Sequence, residues 1–271
     1  MSSVVRKYVI SVFFAFVVIC AAVSISGIFE RDQSGKESVL IVGLQSGYPP
    51  FEFVDSHGKL IGFDLEVARF VADHLHRKLV IKEMEFEALM PALKQGKIDL
   101  IMSGMNITPA RLEEIALVPY HGVATESMRL LFWEKIPNGV NNLRDVASLV
   151  KPVVSVETGT VCETMMEQHP DIKTKTFHGA WDPLTDIKEG KSIAMLVEPD
   201  VAKYLQEEHP EVKSLHIPLS KDEQILGFGI GIKKSQALLI HQVYQALDSL
   251  KASGTLRQLE GKWFGGDYEK K

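Results

Sequence analysis

Residues 98–111 read Ile-Asp-Leu-Ile-Met-Ser-Gly-Met-Asn-Ile-Thr-Pro-Ala-Arg, in the order strand, loop, helix. The apolar run that opens this stretch predicts a short buried strand, and Thr108 followed by Pro109 predicts the start of a helix. Free N–H groups at a helix N-terminus favour an anion, and Arg111 on the first turn can hold a carboxylate with two hydrogen bonds. The loop is therefore a candidate carboxylate-binding site. The alternative is that Arg111 pairs with Glu114 or another surface acid.

Strand-like and helix-like runs alternate along the rest of the chain, which predicts an α/β fold. The predicted elements are strands at Val39–Leu44, Leu79–Met84, Val153–Val156 and Ile193–Val197, with helices at Phe63–His76 and Glu87–Gln95. The run Lys-Gln-Gly-Lys at 94–97 precedes one strand as Lys-Glu-Gly-Lys at 188–191 precedes another. This recurrence favours two lobes built from a similar unit, and a chain of 271 residues is long enough for both.

The N-terminus predicts export. Arg6 and Lys7 precede an uncharged apolar stretch, and small residues near Ser26 offer a cleavage site. Residues 1–26 are therefore predicted to be a signal peptide or a membrane anchor, and 27–38 a flexible lead-in. Lipidation at Cys20 is a third alternative. In each case the protein is periplasmic or extracytoplasmic.

Charge and cysteine content exclude several classes of function. The formal net charge is −5 and no basic stripe is present, so nucleic acid is not an expected partner. Cys162 is the only cysteine after the export segment, which predicts a small buried residue rather than a nucleophile. His57, His74 and His76 lack the spacing of metal ligands, so neither a metal nor another cofactor is expected.

Two aromatic residues follow predicted strands, where ligands of open α/β sheets bind. Tyr48 precedes two prolines that restrict the backbone, and Phe86 opens a predicted helix. A pair of aromatic rings could clamp a flat guanidinium or an alkyl-ammonium group. Alternatively, both rings are part of the core.

Three short motifs carry a resemblance to a known family. They are Gly-Phe-Asp-Leu-Glu-Val at 62–67, Tyr-Pro-Pro-Phe-Glu at 48–52 and Gly-Lys-Trp-Phe-Gly at 261–265. With them, the chain from about Val39 to Phe264 resembles polar amino-acid-binding proteins, the periplasmic solute receptors of ABC importers (solute-binding protein family 3). It is most similar to receptors for arginine and for lysine, arginine and ornithine.

The resemblance implies a two-lobed periplasmic-binding-protein fold of type II. Lobe 1 would comprise residues 39–124 and 222–271, and lobe 2 residues 125–221. Two crossings, near His121–Thr125 and Pro218–Leu226, would form the hinge. A strand at Leu226–Ile232 would return the chain to the first lobe.

The resemblance also implies roles for residues at matching positions. Arg111 would anchor the ligand α-carboxylate, Tyr48 and Phe86 would sandwich its side chain, and Glu198 would bind its α-amino group, where the family more often has aspartate. Gln45 stands where some relatives have an aspartate that reaches the distal cation, so Glu52, Glu85 or Glu87 would meet that charge. The implied ligand-binding residues are Gln45, Tyr48, Glu52, Phe86, Ser103, Gly104, Met105, Asn106, Arg111, Thr158, Thr160, Val161 and Glu198.

The implied function is an extracytoplasmic receptor that binds a free basic amino acid, L-arginine first, and delivers it to an ABC transporter membrane permease. The receptor would be a monomer without catalytic residues. One alternative is an exported enzyme resembling cyclic-amino-acid dehydratases, with His121 or Glu198 as acid or base. The other is a surface-displayed binding or adhesion protein.

Overall fold

The computed structural model describes residues 38–219 and 225–265. The predictions for the export segment, the lipidation at Cys20 and almost all of the lead-in lie outside these residues. Within them, no helix is both long enough and apolar enough to cross a membrane.

Strands and helices alternate over the described residues, which confirms the α/β prediction. The strands are β1 Val39–Leu44, β2 Phe53–Val54, β3 Leu60–Ile61, β4 Lys78–Glu83, β5 Leu100–Ile101, β6 Ala116–His121, β7 Ser127–Trp133, β8 Val153–Glu157, β9 Lys173–Phe177, β10 Ala194–Val197, β11 Val212–Pro218 and β12 Phe228–Ile232. The helices are α1 Phe63–His74, α2 Phe86–Lys94, α3 Pro109–Glu114, α4 Val161–Glu167, α5 Trp181–Lys188, α6 Pro199–Glu208, α7 Ala237–Ala252 and α8 Thr255–Phe264, with a 3₁₀ turn at Leu143–Ser148.

Two five-stranded sheets organise the molecule. The first has the order β4-β1-β5-β12-β6, in which β1 runs parallel to β4 and β5 while β12 is antiparallel to both of its neighbours. The second has the order β11-β7-β10-β8-β9, with β8 parallel to β9 and β10. Helices pack on both sheets, and their apolar residues form the core. The loops that carry the predicted ligand-binding residues follow the carboxyl ends of the parallel strands.

Element ends differ from the predictions by one or two residues, and local backbone geometry explains the clearest case. Helix α1 ends at His74 rather than His76, because His76 adopts a left-handed φ of 52° that breaks the helix. At the second crossing, β12 begins at Phe228 rather than Leu226, because Gly227 has a φ of 82° and Leu226 is exposed.

An aromatic cluster packs against the first sheet around His121, the last residue of β6. The His121 ring stacks on Phe264 with centroids 4.1 Å apart and packs on Phe63 at 4.8 Å. Its Nδ1 lies 3.0 Å from Glu260 Oε1, and its Nε2 lies 3.9 Å from Asp200 Oδ2. His121 is thus buried in the core.

Candidate functional site

Loops from the two sheets meet at the carboxyl ends of their parallel strands. The Ala180 N–H donates to the Gly47 carbonyl across this junction at 3.0 Å. Gly179 has a φ of 74°, and a Cβ there would lie 3.1 Å from the Gly47 oxygen. Glycine is therefore required where the two backbones approach each other.

Arg111 reaches from the first sheet to the second. The Thr108 hydroxyl caps α3 by accepting from the Arg111 N–H, as the sequence predicted. The guanidinium donates to the Asn106 carbonyl at 2.9 Å and to the Gly159 carbonyl at 3.1 Å. Glu114 pairs with Lys94 instead, so the predicted alternative pair between Arg111 and Glu114 is wrong.

Buried polar groups form hydrogen bonds with the 103–106 loop, which precedes α3. Ser103 Oγ accepts from the Gln45 N–H at 3.0 Å and donates to Glu52 Oε1 at 2.9 Å. Gly104 has a φ of 49°, and a Cβ there would lie 2.8 Å from the Tyr48 ring, so only glycine fits under this ring. Farther along the loop, Met105 is also buried.

Asn106 contributes an unsatisfied donor at this loop. Its side chain is buried, and its Nδ2 has no hydrogen-bond partner among the described residues. An unsatisfied buried donor costs free energy, so the arrangement favours an acceptor from a bound molecule at this point.

The two predicted aromatic residues are both nearly buried but have different neighbours. Tyr48 stacks on Phe51 with centroids 5.8 Å apart, and its hydroxyl donates to Glu198. The Arg111 guanidinium carbon lies 5.2 Å from the centre of the Phe86 ring, which is a cation–π contact. Both rings belong to hydrophobic core clusters and also lie next to ionisable groups.

Two buried acids from the second sheet face these groups. Glu198 accepts from the Tyr48 hydroxyl, and its Oε2 lies 4.0 Å from Cys162 Sγ. Burial raises the pKa of Glu198, although the Tyr48 hydroxyl and the Arg111 charge partly offset this increase. The second acid, Glu157, ends strand β8.

Sequence reasoning did not single out Glu157. Its Oε1 accepts from Gln45 Nε2 at 3.0 Å and from the Gly179 N–H at 3.1 Å. Burial and the charge of Glu198 raise the pKa of Glu157 to about 8. The available signal was an acid at the end of an apolar strand, directly before the Thr-Gly-Thr loop at 158–160.

That loop starts helix α4. Thr160 caps the helix by accepting from the Glu163 N–H, and its hydroxyl donates to the Glu157 carbonyl at 2.7 Å. Thr158 is half-buried, and its N–H donates to the Phe177 carbonyl. Val161 lies on the first turn of α4 and is also half-buried.

The other predicted acids border these groups. Glu52 is fully buried beneath the 103–106 loop and bonded to Ser103. Glu85 and Glu87 are exposed and lie 3.0 and 3.9 Å from Nδ1 of His178.

Two spaces adjoin these groups. One is partly enclosed, has a volume of about 10 Å³, and is lined by Tyr48, Glu157, Cys162 and Glu198 among others. The other is a groove of about 380 Å³ beside Arg111. Among residues 38–219 and 225–265, no cluster of three or more histidine, cysteine or acidic side chains is arranged to hold a metal ion.

Comparison with known proteins assigns the family. The model for bacterial extracellular solute-binding proteins, family 3, matches residues 40–266. The chain belongs to this family. Among curated family 3 relatives, the probable ABC transporter arginine-binding protein ArtJ of Chlamydia trachomatis is 32% identical over 251 residues, which cover 92% of this chain and 95% of the relative.

Solved structures share the family 3 fold. An ancestral arginine-binding protein bound to arginine is 27% identical, with a TM-score of 0.75 over 84% of this chain and 99% of that chain. The ancestral amino acid-binding protein AncCDT-1, described as a precursor of cyclohexadienyl dehydratase, is 28% identical, with a TM-score of 0.74 over 84% of this chain and 96% of that chain. The predicted family and the two-lobed, type II periplasmic-binding-protein fold are therefore confirmed.

Proposed function

We propose that the protein binds a free basic amino acid, L-arginine first, between its two sheets and delivers it to the membrane permease of an ABC transporter. The charges of the site residues are the main support for this proposal. Two buried acids, Glu157 and Glu198, lie close to each other, and Arg111 acts on Glu198. Because buried charges require partners, this set suits a solute with one carboxylate and two positive groups. The arginine-binding relatives support the same ligand.

In the proposed complex, Arg111 holds the α-carboxylate and Glu198 holds the α-ammonium group. The distal guanidinium lies against Phe86 and Tyr48 and reaches Glu157. The residues that complete the proposed site are Gln45, Ser103, Gly104, Met105, Asn106, Thr158, Thr160 and Val161.

Glu157 fits the distal cation better than the acids considered from sequence. Glu52 accepts from Ser103 behind the loop, while Glu85 and Glu87 lie beside His178 at the exposed rim. Glu157 is buried and adjoins the partly enclosed space next to Tyr48. An ion pair there is less screened by solvent than one at the rim.

We further propose a hinge between lobe 1 (39–124 and 222–271) and lobe 2 (125–221). The partly enclosed space has room for about one water molecule, so an amino acid enters only when the lobes separate. The closed form is then the form that the permease recognises, and the receptor acts as a monomer. Residues 1–26 would direct its export or anchor it to the membrane.

A ligand screen tests the proposal directly. Isothermal titration and thermal shift with the common amino acids should show the tightest binding for L-arginine. Lysine and ornithine should bind more weakly, and neutral amino acids most weakly. Stabilisation by glutamine or histidine without any effect of arginine would contradict the arginine assignment.

Removing the proposed carboxylate anchor should abolish binding. Arg111→Ala should weaken arginine binding by about a hundredfold or more in calorimetry, because it leaves a buried carboxylate unpaired. The matched control is Arg69→Ala on an exposed face of α1, which should bind normally. Circular dichroism should show that both variants are folded. Undiminished affinity in Arg111→Ala would move the carboxylate site elsewhere.

We propose no catalytic activity, although AncCDT-1 is described as a precursor of an enzyme. Incubation of the pure protein with candidate cyclic amino-acid-derived substrates should give no product above a buffer control. Turnover that disappears in Glu198→Gln would favour the enzyme alternative.

A further inference from the structure

Two buried acids lie behind the loop that the proposed ligand contacts. Glu52 and Asp64 have no measurable exposure to solvent. Each is bonded to a different residue of the loop, Glu52 to Ser103 and Asp64 to Gly104. Neither acid has a place in the proposed ligand complex, so the function derived above leaves them unexplained.

Burial raises the pKa of Asp64 to about 6, but its hydrogen-bond partners oppose this rise and keep the charged form accessible near neutral pH. Its Oδ2 accepts from the Gly104 N–H at 2.9 Å, and its Oδ1 accepts from the Tyr120 hydroxyl at 2.6 Å. Asp64 also lies in the first turn of α1, where the helix dipole favours a negative charge. A positive charge on His121 would further lower the pKa of Asp64.

The surroundings of Glu52 favour its neutral form. Its Oε1 accepts a hydrogen bond from the Ser103 hydroxyl at 2.9 Å, and a protonated Glu52 can donate a hydrogen bond to the Asp64 carboxylate. The titratable groups that act on Glu52 are the acids Asp64 and Glu157. Burial and the neighbouring Asp64 charge raise the pKa of Glu52 well above its usual range, whereas the pKa of Asp64 rises only to about 6.

We propose that Glu52 and Asp64 are positioning residues for solute binding, in which a neutral Glu52 holds Ser103 and a charged Asp64 holds Gly104. Two charged acids would repel each other behind the loop, and two neutral acids would weaken the hold on Gly104. The mixed pair gives each loop residue a partner and leaves one buried charge instead of two. The link to solute rests on the proposed function, because Ser103 and Gly104 are proposed ligand contacts.

The first test needs no ligand. A neutral Glu52 stabilises the fold at low pH, and this stabilisation is lost as the pH rises toward its raised folded-state pKa. Glu52→Gln keeps a neutral side chain of the same shape and removes that loss. The melting temperature of Glu52→Gln minus that of the wild type should therefore increase by about 3 °C or more between about pH 5 and about pH 9.

The control for this test is Asp73→Asn, an acid-to-amide change at an exposed position of α1. The difference in melting temperature between Asp73→Asn and the wild type should show no such trend with pH. A difference for Glu52→Gln that stays constant with pH would overturn the proposal, since a hydrogen bond with a purely structural role gives a constant offset.

The second test measures positioning of the loop. Glu52→Ala and Asp64→Ala should each weaken arginine binding by about tenfold, because each leaves a loop donor without its acceptor. Glu52→Gln should lose less affinity than Glu52→Ala, since its amide oxygen still accepts from Ser103. Equal losses in Glu52→Gln and Glu52→Ala would contradict the neutral role of Glu52.

The two tests separate this proposal from the proposed function. If wild-type protein does not bind arginine, the proposed function fails, but the pH trend of Glu52→Gln still reports on the acid pair. If arginine binds and the trend is absent, only the inference about Glu52 and Asp64 fails.

Discussion

At the scale of single residues, Glu157 has the most informative environment in the site. Its carboxylate is buried beside another acid, which raises its pKa to about 8. Near neutral pH it therefore holds a proton, and a guanidinium placed against it would lower the pKa and release that proton. Arginine binding should thus be linked to pH.

The affinity for arginine should increase as the pH rises from about 6 to about 8, by at most about tenfold per pH unit for one released proton. Titrations in buffers with different ionisation enthalpies would measure the proton release. Glu157→Gln should flatten the pH profile, whereas Glu167→Gln, at an exposed position of α4, should not. A flat profile in the wild type would exclude Glu157 as the partner of the cation.

At the scale of elements, sequence signals that act within a few residues predicted the structure well. Contacts between residues far apart in sequence were not predicted. The start of α3 follows from Thr108 and Pro109, because a cap and a first-turn proline act within a few residues. The burial of Glu157 depends on groups at Gln45 and Gly179, which lie 112 and 22 residues away in sequence. A pattern of neighbouring residues therefore placed the Arg111 loop but missed Glu157.

Helix α3 has no buried side chain, so its cap has an unusually large part in orienting Arg111. Thr108→Ala should lower the free energy of unfolding by about 1 kcal/mol and should also weaken arginine binding. Thr108→Ser keeps the hydroxyl and should restore both. Denaturant melts and calorimetry would measure the two effects, and a loss of stability at unchanged affinity would show that the cap does not position Arg111.

At the scale of the whole molecule, the close approach of two backbones limits how far the proposed lobes can close. The Ala180 N–H reaches the Gly47 carbonyl only because Gly179 has no side chain. The proposed closure should therefore be sensitive to a single added methyl group.

Gly179→Ala should weaken arginine binding by about tenfold, because the Cβ meets the Gly47 oxygen and must displace it. Gly190 is a matched control, since its φ of 65° is similar but no atom lies within 4 Å of the added Cβ. Gly190→Ala should cost about 1 kcal/mol of stability from its left-handed backbone, with normal affinity. Equal affinities of the two variants would contradict closure at this junction.

The position of β12 has a consequence for the order in which the protein folds. This strand pairs with both β5 and β6 in the first sheet, although the whole second sheet lies between β6 and β12 in sequence. When a chain emerges N-terminus first, its second sheet can be complete before β12 is available to pair with β5 and β6. The half of the molecule that carries Arg111 is thus the last to be finished as the chain folds from its N-terminus.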